Sequence, residues 1–286
     1  MKAIFIFLFL MIGQLSFAQQ YNSLVIEKDN VDGNNKIYKI GSAFVFDYEI
    51  VIDSVKWKLR TNKGMASACR FDLVDAGKDS IGVNRLHLLV KPVISKERTN
   101  KNQTEILYLE DPVFSSISST GLVENEQNIW LHPMRSGFFG ALETCPFPYV
   151  KKPLQIGQEW SDEMKISNSW SNALWGEWKG KSKLIYQYKV HKKSKLNTKV
   201  GKLECYVIES TAISKIGTAK LKSYYSEIFG FVRMEYEMAN GVKINIWLEE
   251  VSSENDFTDM QAVLKYVKAC KEKDIQLFRF VKLKNR

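Results

Sequence analysis

GFVRMEYEMANGVKINIWLEEV, residues 230–251, is the stretch whose reading decides the fold. Val232, Met234, Tyr236 and Met238 alternate with Arg233, Glu235 and Glu237. A period of two puts one set of side chains on a buried face and the other in water, which is a half-buried strand. A second run follows from Val242 to Val251, and between them stands Asn240-Gly241. That dipeptide predicts a tight hairpin of type I′, because both central residues of such a turn need positive φ.

Working outward, the same signal repeats. Leu184, Tyr186, Tyr188 and Val190 alternate with Gln187 and Lys189, and Leu203, Cys205 and Val207 alternate with Glu204, Tyr206 and Ile208. Gly201, Gly217 and Gly230 mark the junctions, so residues 183–251 read as a five-stranded antiparallel meander. Further upstream, Phe44, Phe46, Tyr48 and Ile50 alternate with Asp47 and Glu49, and Leu86–Val90 is a short apolar run around His87. Past the meander the period lengthens: Met260, Val263, Leu264, Val267 and Cys270 fall on one helical stripe, and Thr258-x-x-Gln261 fits a capping box. One amphipathic helix is expected over 258–272, and Gln276–Lys282 alternates weakly, as an edge strand would. The fold class is therefore mainly β, a curved antiparallel sheet or open β-barrel with a C-terminal amphipathic helix. Residues 111–180 hold five of the six prolines and most of the tryptophans. They read as loops and short strands, with a division near 150 between an N-terminal β-rich region, 19–150, and the meander with its helix, 151–286.

The first eighteen residues stand apart. Lys2, an apolar run from Ala3 to Ile12 and the small residues of Ser16-Phe17-Ala18 have the three-part form of a secretory signal peptide, which places the mature start near Gln19. Ten helical residues span only about 15 Å, half a bilayer core, so a membrane anchor is the poorer reading. A periplasmic or secreted protein without a transmembrane segment is expected. Export permits disulfides among Cys69, Cys145, Cys205 and Cys270, in any of three pairings, or free buried thiols. No C-x-x-C pair suggests zinc or thioredoxin-type redox chemistry. At 45% apolar and 26% charged residues the chain is globular in composition. Its formal charge of +9 is uneven: nine lysines and no carboxylate lie between Lys179 and Leu203, and Lys265–Arg286 carries a balance of +6. Less Lys2, the remainder of the mature chain is about −7, a dipolar molecule.

Three groupings are candidates for chemistry. His132, Arg135 and Glu143, with Cys145 close by, could serve acid–base or nucleophilic catalysis, but their spacing fits no metal or nucleophile motif; the bland alternative is a proline-fixed structural loop. Trp160, Trp170, Trp175 and Trp178 could line a ligand groove, or belong to the core. The lysine-only stretch, with Lys181, Lys183, Lys192, Lys193 and Lys195, could meet an anionic membrane surface, an acidic polysaccharide or a partner; equally, lysines guard an exposed hairpin edge. Nucleic acid is not expected, for want of arginines and interleaved aromatics and because of export. No cofactor or metal is implied. Asn102-Gln-Thr104 is a formal glycosylation sequon, meaningful only in a eukaryotic secretory pathway.

Gly157-Gln-Glu-Trp160, Gly201-Lys-Leu-Glu-Cys205-Tyr-Val-Ile, Tyr224-Tyr225, Gly230-Phe-Val-Arg233 and Asn240-Gly241, in that order over residues 153–251, resemble a group of uncharacterised exported bacterial proteins. These carry a domain of unknown function related to lipoprotein-carrier-like open β-barrels. The phenylalanine-rich leader ending in Ala-Gln-Gln is similar to those of Bacteroidetes-type bacteria. The resemblance implies a curved sheet partly wrapping a hydrophobic groove, with no known activity. The functional expectation is a non-enzymatic exported protein that binds a hydrophobic or envelope-derived ligand (lipid or glycan), or an envelope protein, on a concave sheet face. The alternative is a hydrolase built around His132, Arg135 and Glu143.

Overall fold

The structure, a computed structural model, describes residues 24–26, 31–60, 73–77, 82–92, 102–111 and 117–284. Residues 1–18, read above as a signal peptide, and Cys69 lie outside the described residues.

The protein is mainly β, one large antiparallel sheet that does not close on itself, with a single C-terminal helix. The strands are β1 (Ala43–Ile52), β2 (Val55–Leu59), β3 (Leu73–Asp75), β4 (Arg85–Val90), β5 (Thr104–Asp111), β6 (Ile117–Glu124), β7 (Asn128–Leu131), β8 (Tyr149–Lys151), β9 (Glu159–Ile166), β10 (Ser182–Thr198), β11 (Gly201–Ser214), β12 (Gly217–Ser226), β13 (Gly230–Glu237) and β14 (Lys243–Ser252). Helix α1 spans Met260–Lys284. Twelve strands run side by side in the order β8-β7-β6-β5-β4-β1-β14-β13-β12-β11-β10-β9, with β2 and β3 a short excursion from β1. The two ends of this path, β8 and β9, are consecutive in sequence. No ladder joins them; side chains do. Tyr149 meets Trp160 edge-on at 5.8 Å and Tyr188 at 5.5 Å, and the Tyr188 hydroxyl donates to the Phe147 carbonyl at 3.3 Å.

The apolar face encloses one continuous core that includes Phe44, Tyr48 and Leu88 from the first strands and Tyr186, Leu221 and Ile244 from the meander. Residues 132–148, between β7 and β8, are tucked into it. Their 3-10 segment, Gly137–Thr144, is buried at every position, and Phe139 meets Tyr48 edge-on at 5.3 Å. Each large apolar side chain so buried contributes about 1.5–3 kcal/mol. The interior that an open-barrel reading would leave for a hydrophobic ligand is therefore occupied by the chain's own segment.

The five-stranded meander of the sequence reading is β10 to β14. Its diagnostic turn differs in type. The Gly241 amide donates to the Met238 carbonyl at 2.9 Å and the Met238 amide to the Val242 carbonyl at 2.8 Å. Only Gly241 has positive φ, +86°, whereas Asn240 does not. The loop is thus a type I turn closed by a left-handed glycine, and Asn240 serves through its side chain, which accepts from the Val242 amide at 3.2 Å. Two helix expectations are also corrected. Asp259, not Thr258, caps α1, its carboxylate accepting from the Ala262 amide at 2.8 Å. Residues 276–282 continue the helix rather than forming an edge strand; the alternation there is too weak to override helical propagation. The first turns of α1 lie on the outer side of β1, β4 and β5, where Val263 and Val267 join Phe257, Ala43, Leu89, Leu107 and Leu109 in a second, small core.

Candidate functional site

The first grouping is brought together only in part. His132 and Glu143 are both enclosed, with the imidazole Nε2 3.4 Å from Glu143 Oε1. The imidazole Nδ1 lies 2.8 Å from the Pro133 carbonyl, to which it donates as Nδ1–H, leaving Nε2 to face the carboxyl group. Burial, reinforced by the Arg135 charge and opposed by the Pro133 carbonyl, holds the imidazole down to about 3. Arg135 itself turns to the Ser119 carbonyl, 2.9 Å away. Burial also pushes the Cys145 thiol up to about 12, which makes it a poor nucleophile. Phe147, Trp130 and the Tyr108 hydroxyl surround the histidine. These groups pin the 132–148 segment in the core. Cys145, Cys205 and Cys270 are free thiols.

The tryptophans divide similarly. Trp175 and Trp178 are buried; Trp175 meets Phe138 edge-on, and its indole N–H donates to the Trp170 carbonyl at 2.8 Å. Trp160 stacks flat on Tyr188, at 5.2 Å and 4°. All four pack on or in the main core.

The lysines sit on a long two-stranded ribbon. β9 pairs with β10 only as far as Lys189, and β12 pairs with β11 only from Tyr206 onward, so residues 191–205 have only each other. Within the sheet β11 buries Ile208, Ser210 and Ala212; in the ribbon it buries Leu203, Cys205 and Val207. Even positions give way to odd ones, and His191 is the extra residue that keeps β10 in register. The ribbon thus buries the side that continues the polar face of the sheet, so it leans over that face. At its tip Lys199 forms an ion pair with Glu249 of β14, whose carboxylate also accepts from the Trp247 indole at 2.9 Å. Lys193 pairs with Glu204 at 3.4 Å and lies 4.5 Å from the Tyr206 ring centre; Lys183 pairs with Glu163; Lys181, Lys192 and Lys195 are exposed.

The same polar face holds a trough of about 1030 Å³ across β9–β14. Strand register generates its floor. One row runs Glu159, Lys189, Glu209, Lys222, Glu235 and Asn245, each opposite the next on the neighbouring strand. The adjacent row runs Ser161, Gln187, Thr211, Lys220, Glu237 and Lys243. Four carboxylates face four ammonium groups, so the floor is neutral overall and dense in hydrogen-bonding groups. Lys189 and Glu159 are 2.6 Å apart, Lys220 and Glu237 3.3 Å, and Glu235 forms an ion pair with Arg233 at 2.7 Å. Tyr188, Ser210, Leu221 and Tyr236 border the trough through their backbone, because the pleat sends their side chains to the opposite face. Trp160 does the same. One row beyond the floor, two residues along from Lys222 and Asn245, half-buried Tyr224 and Trp247 share the trough face.

Period-two reading placed Gln187, Lys189, Glu235 and Glu237 on the wet face; what it missed was the rest of the floor and the register that joins it. The row Glu-Lys-Glu-Lys-Glu is assembled from five strands and is invisible until their pairing is known.

No family model matches the chain, and no curated protein sequence matches it. Among solved structures it is similar to a protein assigned as exported, with a YmcC-like fold, from Bacteroides fragilis: 11% identity, TM-score 0.43, covering 76% of this chain and 98% of that one. A protein assigned as a lipoprotein from Parabacteroides distasonis gives 12% identity and a TM-score of 0.40, covering 76% of this chain and 97% of that one. The hypothetical lipoprotein YmcC from Escherichia coli gives 9% and 0.34, covering 78% and 90%. All three carry an exported or lipoprotein assignment, and none is described as a lipoprotein carrier.

Proposed function

We propose that this chain is an exported, non-enzymatic binding protein, periplasmic or secreted, that holds an envelope-derived glycan in the trough across β9–β14. The observation that carries this reading is the trough floor, where carboxylates, ammonium groups, amides and hydroxyls alternate with no net charge. A sugar hydroxyl is donor and acceptor at once, so it can meet a carboxylate and an ammonium group in the same site. A hydrocarbon ligand would strip water from those charges without replacing their partners, which is costly. It would also find the apolar interior filled by residues 132–148.

The hydrolase reading is the weaker one. His132 and Glu143 meet under a buried segment, and Arg135 points elsewhere. The test is native mass spectrometry of the mature protein purified from its own host's envelope. A co-purifying mass of sugar composition is expected, and the paired change Glu209→Ala with Lys222→Ala releases it. A co-purifying lipid, or an apo protein that ignores envelope oligosaccharides in calorimetry, overturns the proposal.

A further inference from the structure

We propose that the solvent-facing side of the β10–β11 ribbon is a docking track for an acidic polysaccharide. This does not rest on the trough reading, since the track is the opposite side of the ribbon from the one that leans over the sheet.

The ribbon runs for seven residue pairs, from Lys192 opposite Val207 to Thr198 opposite Gly201, about 20 Å at the usual rise per residue. Lys193 and Lys195 lie two residues apart on one side, and Lys202, opposite Asn197, continues their line. Lys193 and Lys195 are about 7 Å apart along β10, and a diagonal step of somewhat greater length reaches Lys202 on β11, so the three cations follow one side of the ribbon. All three are exposed, and the carboxylate on this side is Glu204, opposite Lys195. Lysines that merely blunt a bare strand edge need not share a side; these do. A run of flexible point charges along one side suits a polymer with repeating carboxylates better than a single fixed anion, which planar arginine forks would grip.

A membrane surface is the other polyanion to consider, and the ribbon is poorly made for it. Its apolar residues, Leu196, Val200 and Leu203, pack against the core. Its tip is tied down by the Lys199–Glu249 ion pair, so no apolar anchor is presented for insertion. The exposed side instead offers Lys193, held 4.5 Å over the half-buried Tyr206 ring, a positioned cation for the carboxylate of a uronic acid unit.

The experiment uses the mature full-length protein with oligogalacturonate of defined length, a neutral oligosaccharide of equal length, and vesicles containing phosphatidylglycerol. Calorimetry at low salt is expected to show oligogalacturonate binding that falls steeply as salt rises from about 50 to about 200 mM, through loss of counterion release. The triple change Lys193→Gln, Lys195→Gln and Lys202→Gln is expected to weaken it by roughly tenfold or more, and Glu204→Gln to strengthen it. The control removes the same charge from exposed positions off the ribbon: Lys179→Gln, Lys181→Gln and Lys215→Gln. Equal weakening by the control shows only a general response to net charge and overturns the proposal. So does binding to the vesicles without binding to oligogalacturonate, or absence of binding to either. Binding of the neutral oligosaccharide but not of oligogalacturonate, unaffected by the ribbon changes, supports the trough and overturns the ribbon track.

Discussion

Two buried ionisable side chains show how single residues hold this architecture. Glu124 sits at the end of β6 and accepts from the backbone amides of Lys36, Ile37 and Tyr38 at 2.8–3.2 Å, which fastens the segment before β1 to a strand three places away in the sheet. Charge-assisted bonds of this kind are worth about 1.5–3 kcal/mol. Glu124→Ala is therefore expected to lower unfolding free energy in urea by about 2–3 kcal/mol, with Glu124→Gln recovering part of the loss. A loss below about 0.5 kcal/mol would mean that water replaces the carboxylate freely. His132 makes a different prediction. Its folded imidazole, held down to about 3, refuses a proton that the unfolded chain accepts at its ordinary 6.5. Stability must then decline as pH falls from about 6.5 toward about 3, by at most about 1.4 kcal/mol per unit from this group. His132→Gln should flatten that part of the stability curve while leaving the region above pH 7 with the same slope. An unchanged slope would show that the imidazole is protonated in the fold, paired with Glu143.

At the scale of elements, the strands were legible and their joints were less so. Alternation placed β10, β11 and β13, because each has one dry and one wet face, and the glycine junctions with Asn240-Gly241 supplied β12 and β14. The same alternation in Leu203, Cys205 and Val207 was seen as part of a single face. It is instead the point at which burial passes from one side of the ribbon to the other, and the only trace in the sequence is two consecutive buried residues, Val207 and Ile208. Burial of the tryptophans and the filling of the interior by residues 132–148 left no period to read, since irregular backbone carries none. The ribbon's lean depends on that apolar underside far more than on its tip. The exposed Lys199 end of its ion pair is screened, so Lys199→Ala should cost less than about 1 kcal/mol. Leu203→Asp should detach the ribbon. Amide exchange would then accelerate across 192–206 while Ile208–Ile213, flanked by β10 and β12, stays protected. Equal acceleration in both segments would show that the ribbon is not a separable element.

For the whole molecule the question is whether the regions before and after residue 150 are two units or one. Strand pairing argues for one. β1 and β14 are joined over nine residue pairs, from Ala43 opposite Ser252 to Val51 opposite Lys243, and that ladder is the central seam between the two halves of the path. Core residues on either side of it, such as Phe46 and Tyr48 from β1 and Ile244 and Ile246 from β14, belong to one cluster. The 132–148 segment, from the first half, is buried against the second, with Phe138 meeting Trp175 and the Phe147 carbonyl accepting from Tyr188. Cutting at 150 would bare a strand edge on each piece and expose aromatic rings that neither piece could cover alone. The whole protein should accordingly unfold in a single calorimetric transition whose measured and van't Hoff enthalpies agree, and residues 151–286 expressed alone should lack a cooperative transition. Two transitions, with the isolated 151–286 piece reproducing the second, would instead make the β1–β14 ladder an interface between independent domains. The trough would then be a property of the C-terminal domain alone, because all the residues of its floor lie after position 158.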